Sequence, residues 1–371
     1  MSNNHKPIGV DLFCGVGGLS LGFRQAGFNV VASVDHDPTN IEMYSQNFPE
    51  CKCICADISK ISGKEIKSAA QIRNKRVDIL FGGPPCQGFS MIGKRQQDDS
   101  RNSLIYEYAR LVKEIEPNYF VLENVPGILT GKMKGIVDSF IRRIKRSGYS
   151  IVEPIQTVNA IDFGVPQRRK RVIILGYRKN LPAPNYSSFI NQFKTETPTV
   201  WDAIGDLAKI NDSEYFYTQD IYFEKLGACS DYAKVLRGEI KIKDKFSPPK
   251  RISKDLTGCQ IVRHTTKTIK RFEKTKPGTS ESISHFYRLE KSGFAPTLRA
   301  GSDSSHGLFT AARPIHPVLP RCITTREAAR LHSFPDWFQF HPKKCHAFRQ
   351  IGNSVPPKMA KALAQGLMSI L

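Results

Sequence analysis

Through the first half of the chain, short apolar runs alternate with longer stretches that repeat every three to four residues. Residues 8–13, 30–35, 51–58, 77–81 and 119–124 are runs of strand length bounded by Gly, Asp, Asn or Pro. Between them, residues 19–26, 38–47, 103–115 and 132–147 carry one apolar stripe each, as helices with a single buried face do. Strands over 149–158 and 171–177 complete the set. Alternation of this kind predicts an α/β fold built on a doubly wound, mostly parallel sheet. Such sheets take their ligands at the carboxyl ends of the strands.

The alternation breaks at residues 181–185, Leu-Pro-Ala-Pro-Asn. From there to residue 313 the chain is irregular, basic and rich in turns. A helical stripe returns over 326–334. A terminal helix is expected over 352–370, its start marked by Asn353, Ser354, Pro356 and Pro357. The expected organisation is a catalytic and ligand-binding domain over 1–183, a smaller irregular, β-containing domain over 184–345, and a C-terminal helix over 346–371 that returns to the first domain. There is no internal repeat or low-complexity tract.

Composition sharpens this picture. A chain of 371 residues with 40% hydrophobic content can build two or three domains with a sizeable core. No apolar run is long enough to span a bilayer, and the polar residues 1–7 do not read as a signal peptide. Net charge is +21, from 55 basic and 34 acidic residues, which points to a polyanionic partner. The excess is concentrated: residues 234–276 hold 14 Lys/Arg against 4 Asp/Glu. Such a segment suits phosphate contacts. Nine cysteines without a disulfide framework imply a reducing, cytoplasmic setting. Cys51, Cys53 and Cys55 alternate as one strand face would, and their spacing is not that of a zinc site, so no metal is expected.

Four places carry candidate chemistry. Residues 82–90, Gly-Gly-Pro-Pro-Cys-Gln-Gly-Phe-Ser, end a strand in a stiff turn that holds the Cys86 thiol in a fixed place, as a nucleophile requires. Residues 11–18, Asp-Leu-Phe-Cys-Gly-Val-Gly-Gly, form a strand end, a glycine turn and a helix start. With Asp35 after the next strand and Asp57-Ile58 after the third, this turn suits an adenosine-type cofactor. Glu123 closes an apolar strand, where a carboxylate is costly unless it is paired or used. Arg169 and Arg171, within Gln167–Arg171, project to one face of the following strand and can act as clamps there.

Taken in order, these segments and two more near the C-terminus, Arg-Glu-Ala-Ala-Arg-Leu at 326–331 and Gly-Asn-Ser-Val-Pro-Pro at 352–357, resemble the ordered motifs of the cytosine-C5 DNA methyltransferases. The resemblance spans nearly the whole chain except the middle. One small departure is Ile-Thr-Thr-Arg at 323–326, where the family often has Leu-Thr-Pro-Arg. The resemblance implies a Rossmann-like, S-adenosylmethionine-dependent methyltransferase fold, with 184–345 as the target-recognition domain and residues 295–300 near its end. It implies Cys86 as nucleophile, Glu123 as the acid at the base, and Arg169 and Arg171 as supporting arginines. Asp11, Phe13, Gly15, Gly17, Gly18, Asp35, His36, Asp57, Ile58, Pro84, Leu104, Asn353 and Val355 would surround S-adenosylmethionine. Gln87, Ser90, Lys94, Arg95, Asn124, Thr297 and Arg299 would meet the substrate, and residues 89–102 would close as a lid.

The implied partner is duplex DNA with a specific short sequence. The chain would be a bacterial restriction–modification enzyme, monomeric, in the cytoplasm or nucleoid. Its cognate endonuclease would not be held in a stable complex. Two rivals share the motifs: a tRNA cytosine-C5 methyltransferase, and a non-catalytic DNA-binding regulator. Phe89-Ser90 stands where the tRNA branch typically has Phe-Thr. The first strand, starting at Ile8, leaves no room for a regulator's preceding domain.

Overall fold

The computed structural model describes residues 6–85, 104–211, 213–223, 226–242, 244–249, 255–301 and 313–371. Its centre is a sheet of β1 (Ile8–Leu12), β2 (Asn29–Asp35), β3 (Lys52–Cys55), β4 (Ile79–Gly82), β5 (Tyr119–Asn124), β6 (Tyr149–Ile151), β7 (Gln156–Asn159) and β8 (Lys170–Arg178). The spatial order is β3-β2-β1-β4-β5-β8-β6, with β7 also on β8. The first five strands are parallel, and β8 turns antiparallel against β5, β6 and β7.

Both faces of the sheet are covered, so the strands read as unbroken apolar runs and not as alternating ones. Val10, Leu80, Phe120, Leu122 and Ile174 point to one face, under α3 (Gly63–Ala69), α4 (Leu104–Ile115) and α5 (Lys132–Arg146). Phe81, Val121, Ile173 and Leu175 point to the other, under α1 (Gly18–Ala26), α2 (Pro38–Asn47) and α13 (Pro357–Met368). Phe23 of α1 stacks on Phe81 at 4.1 Å between ring centroids. Fully burying one such side chain contributes about 1.5–3 kcal/mol.

The second half carries α6 (Tyr186–Gln192), α7 (Val200–Ile204), α8 (Glu214–Thr218), α9 (Asp231–Arg237), α10 (Thr266–Lys274), α11 (Thr325–Leu331) and α12 (Lys344–Asn353). It is fastened to the sheet: Tyr186, Ala203, Leu298, Ala328 and Phe334 belong to the same apolar cluster as Phe23 and Phe81. A small separate cluster joins Leu207, Phe216, Tyr222, Leu256 and Ile261.

Several boundaries differ from the sequence reading. The third strand ends at Cys55, because Asp57 turns back on Ser59. Helix α3 was not anticipated; its signal is the capping box of Ser62 and Glu65. The strand expected over 149–158 is two strands, since Pro154 has no N–H to give the ladder. The expected terminal helix divides: Gly352 lies near the end of α12, and α13 starts afresh at Pro357. The helix expected over 326–334 is Thr325–Leu331, and all seven of its residues are buried.

Candidate active site

The parallel strands end along one edge of the sheet, and the first part of the site forms after β1 and β2. The chain leaves β1 through Phe13 at φ 56°, then Gly15 at 52° and Gly17 at 99°. A Cβ on Gly17 would come within 2.4 Å of the Phe48 ring, and one on Gly18 within 2.4 Å of the Val355 carbonyl oxygen. Only glycine allows so tight a turn there, and the contact brings the 353–355 segment onto the start of α1. Asn353 is exposed and Val355 is buried.

Gly15 N–H donates to Asp35 Oδ2 at 2.8 Å, and the space beyond its Cα is open. The other Asp35 oxygen accepts from Asp37 N–H at 2.9 Å, and the exposed His36 ring lies 3.6 Å from it. Past β3, Asp57 is exposed, and hydrogen bonds from Ser59 hold its carboxyl below the usual range. Ile58 beside it is buried. Asp11 does not line this groove. It lies inside the core under α1, accepting from Ser20 Oγ at 2.6 Å, and burial pushes its carboxyl well above the ordinary range.

The second part forms between β5 and β8. In the antiparallel register Glu123 faces Ile173, so Arg171, two residues on, shares its side of the sheet. Arg171 Nε lies 2.7 Å from Glu123 Oε1, with both side chains only 11% exposed. Burial pulls the Arg171 guanidinium below its ordinary pKa, and Glu123 opposes the pull. A Cβ on Gly83 would sit 2.7 Å from Glu123 Oε2, so the turn after β4 packs directly on this carboxylate. Asn124 Nδ2 donates to the Pro84 carbonyl at 3.0 Å and fixes that turn to the end of β5. Its side chain is therefore engaged with the backbone. Leu104 opens α4 and packs on the far face of the sheet. Cys86, Gln87, Ser90, Lys94, Arg95 and the expected lid lie outside the described residues.

Arg169 is not at this pair. Its guanidinium is buried and donates to three carbonyls: Leu298 at 3.2 Å, Gly352 at 2.7 Å and Ser354 at 2.8 Å. Around it, Gln167 Nε2 lies 2.9 Å from His332 Nδ1, and His332 Nε2 lies 2.9 Å from the Ser354 carbonyl. Gln167 Oε1 accepts from Leu298 N–H at 3.1 Å. Burial, then the Arg169 charge, pushes the His332 imidazole well down, so it is neutral. A Cβ on Gly352 would meet the Ala300 nitrogen at 2.4 Å. This hub ties the strand that bears Arg171 to residues 298–300 and 352–354. The sequence reading missed Gln167 and His332. Their signal is a polar residue within a buried run, which does not announce a hub. Thr297 donates to the Arg168 carbonyl at 2.6 Å, and Arg299 is exposed.

A second buried polar group centres on α11. Arg330 bonds Asp336 at 2.8 and 2.6 Å and Asp206 at 2.7 and 2.8 Å, and Arg237 also reaches Asp206. Arg326 donates to the carbonyls of Thr257, Pro335 and Phe338. Arg321 grips Glu327 with two bonds of 2.8 Å. The Arg330, Arg237 and Arg321 charges meet carboxylates, and Arg326 is satisfied by backbone carbonyls and the Thr257 hydroxyl, so no buried guanidinium of this group is without partners.

The family model described as C-5 cytosine-specific DNA methylase matches residues 9–369. The chain is 46% identical over 367 residues to Type II methyltransferase M.XorII of Xanthomonas oryzae pv. oryzae, covering 99% of this chain and 85% of that protein. It is 31% identical to Type II methyltransferase M1.HphI of Haemophilus parahaemolyticus, covering 97% and 86%. Among solved structures, a prophage-encoded E. coli protein described as a DNA modification methyltransferase superposes with a TM-score of 0.82 at 34% identity, covering 98% of this chain and 99% of that one.

Proposed function

Since the chain belongs to the C-5 cytosine-specific DNA methylases and is a DNA cytosine methyltransferase of the type II restriction–modification kind, we propose that it takes its methyl group from S-adenosylmethionine and acts on a cytosine turned out of a specific duplex sequence, through a covalent bond from Cys86 to C6. The observation that carries this reading is the Glu123–Arg171 pair at 2.7 Å, packed on the Gly83 turn that leads into Cys86.

The strand-end groove fits the cofactor. Gly15 faces open space, Asp35 presents a carboxylate at the end of β2, and Ile58 offers an apolar flank beside Asp57. Phe13, Gly15, Asp35, Asp57 and Ile58 would hold the adenosine part, and Val355 closes the groove through the start of α1. S-adenosylmethionine, when bound, supplies a methyl group on a positively charged sulfur.

C5 of cytosine is a weak nucleophile, and the residues of this chain would change that. The Cys86 thiolate adds to C6 and pushes electron density through the ring to C5 and N3. Glu123, as the acid at the base, donates a hydrogen bond to N3, and Arg171 holds both Glu123 and the base oxygen O2. After C5 is methylated, loss of its proton expels the thiolate and restores the aromatic ring. A stacked base is out of reach of this thiol, so the nucleotide must leave the helix, at a few kcal/mol.

Residues 1–183 would carry chemistry and cofactor, 184–345 would read the DNA, and 346–371 would return to the cofactor side. The basic segment 234–276, with exposed Lys267, Lys270 and Lys274 on α10, would contact phosphates. Among the described residues, no helix is long and apolar enough to cross a membrane. We place the enzyme in the cytoplasm or nucleoid, as a monomer whose cognate endonuclease acts separately.

Cys86→Ala tests the centre of this reading. Transfer of labelled methyl to duplex DNA should disappear while duplex and S-adenosylmethionine binding persist. A variant with normal transfer would remove the covalent mechanism.

A further inference from the structure

A second strongly basic surface lies at the edge of the sheet opposite the site. Helices α3, α4 and α5 lie side by side on one face, each connecting parallel strands. They therefore run antiparallel to those strands, and their carboxyl ends all reach the amino edge. Exposed there are Arg73, Lys75, Arg76, Lys113, Arg142 and Arg146. None of the six has an ion-pair partner among the described residues.

The strip is continuous. Arg76 and Arg178 both act on Tyr149, the first residue of β6, and the Arg178 guanidinium lies 5.7 Å from that ring. Lys179 N–H donates to the Gly148 carbonyl just past α5. The carboxylates at this edge are engaged. Glu116 lies 3.6 Å from Arg178, Glu153 lies 3.3 Å from Lys145, and Asp78 accepts from Ile8 N–H at 2.7 Å.

One cation per helix end would answer the partial negative charge of that end. Six unpaired cations exceed that need and repel one another. Among the described residues the strip shows no open stacking platform: Tyr106 lies beneath the Arg143 guanidinium, and Tyr149 is buried. Charge without open aromatic faces suits a duplex phosphate backbone better than unstacked bases.

We infer that this strip binds the phosphate backbone of a second DNA duplex segment while the strand-end site holds the first. Strands of five or six residues plus their loops set the two edges roughly 20 Å apart, so one straight duplex cannot lie on both. The inference rests on the reading that duplex DNA is the substrate.

A bridging assay tests it, with one duplex immobilised, a second fluorescent, and the full-length enzyme between them. The variant carries Lys75→Gln, Lys113→Gln, Arg142→Gln and Arg146→Gln, all exposed and remote from the site. The wild type should retain the fluorescent duplex, and the variant should lose about tenfold of that retention while methylating a short duplex within about twofold of wild type. Equal bridging by both proteins overturns the inference, as does a wild type that methylates but does not bridge. Anionic lipid vesicles that displace the second duplex as well as DNA does would reassign the strip to a membrane surface and overturn it too. An enzyme that neither binds nor methylates duplex DNA removes the inference together with the reading beneath it.

Discussion

Replacing Arg169 with Lys separates two roles for that residue. If Arg169 serves the chemistry directly, Lys retains the charge, the fold stands, and only turnover falls. The structure gives a different expectation. The guanidinium reaches three carbonyls at 3.2, 2.7 and 2.8 Å, borne by Leu298, Gly352 and Ser354. A compact ammonium on a narrower reach cannot serve both sides of that fork. One or two carbonyls lose their donor inside the core, at about 1–3 kcal/mol each. The ammonium is also the more strongly hydrated ion, in a site where burial already pushes the guanidinium well down. The expected loss is about 3 kcal/mol. For a 371-residue chain that melts as one unit, the unfolding entropy is roughly 0.8 kcal/mol/K, so Tm should fall by about 4 °C. The loosened 352–354 segment should also weaken S-adenosylmethionine binding. Thermal melts followed by circular dichroism, with calorimetric titration of the cofactor, measure both. An Arg169→Lys protein with unchanged Tm and cofactor affinity but depressed kcat would refute this reasoning.

Two further changes follow from the same geometry. Gly83→Ala places a methyl group 2.7 Å from Glu123 Oε2, which must move away from Arg171; kcat should fall roughly tenfold or more, with a stability loss of about 1–3 kcal/mol. Unaltered kcat in steady-state methylation would argue against the Glu123–Arg171 pair as the reacting centre. His316 is buried, which pushes its imidazole down to about 4, against Glu327 and with Arg321 adding to the fall. The unfolded chain takes up that proton near pH 6.5 and the folded one only near pH 4. Its contribution is therefore complete above pH 6.5 and is lost as pH falls toward 4, by at most roughly 3 kcal/mol. His316→Asn, whose amide oxygen can replace Nδ1 as acceptor for Val318 and Leu319 N–H, should flatten the dependence of denaturant midpoint on pH in that window. An unchanged slope would place the acid sensitivity elsewhere.

The strand ends were legible because they obey local rules. Tyr119–Asn124 and Pro38–Asn47 match their expected ranges, since one is an unbroken apolar run and the other starts at an Asp-Pro cap. Glu123 and Arg171 were both named, and their pairing follows from the register of β5 against β8, a long-range fact. Asp11 was misread for a related reason: a strand-end carboxylate next to a glycine turn looks the same from sequence whether it faces the groove or a serine of α1. Arg169 sits in a basic run that resembles solvated surface, and only the convergence of residues 298, 352 and 354 explains its burial. The signal of Gln167 and His332, a polar residue in a buried run, does not name their partners, which lie 22 to 165 residues away.

Helix α11 has a consequence for how such a protein can change. Arg326 takes the carbonyls of Thr257, Pro335 and Phe338, Arg321 that of Ile210, and Arg330 that of Ala203. Every residue type carries a carbonyl, so the grips on Ile210, Pro335 and Phe338 do not inspect the side chains there, whereas Arg330 also requires the carboxylates of Asp206 and Asp336. A loop between two such grips can be rewritten and still be seated at the same height and angle. The helix therefore acts as a socket with a fixed thread, into which differently cut keys can be turned.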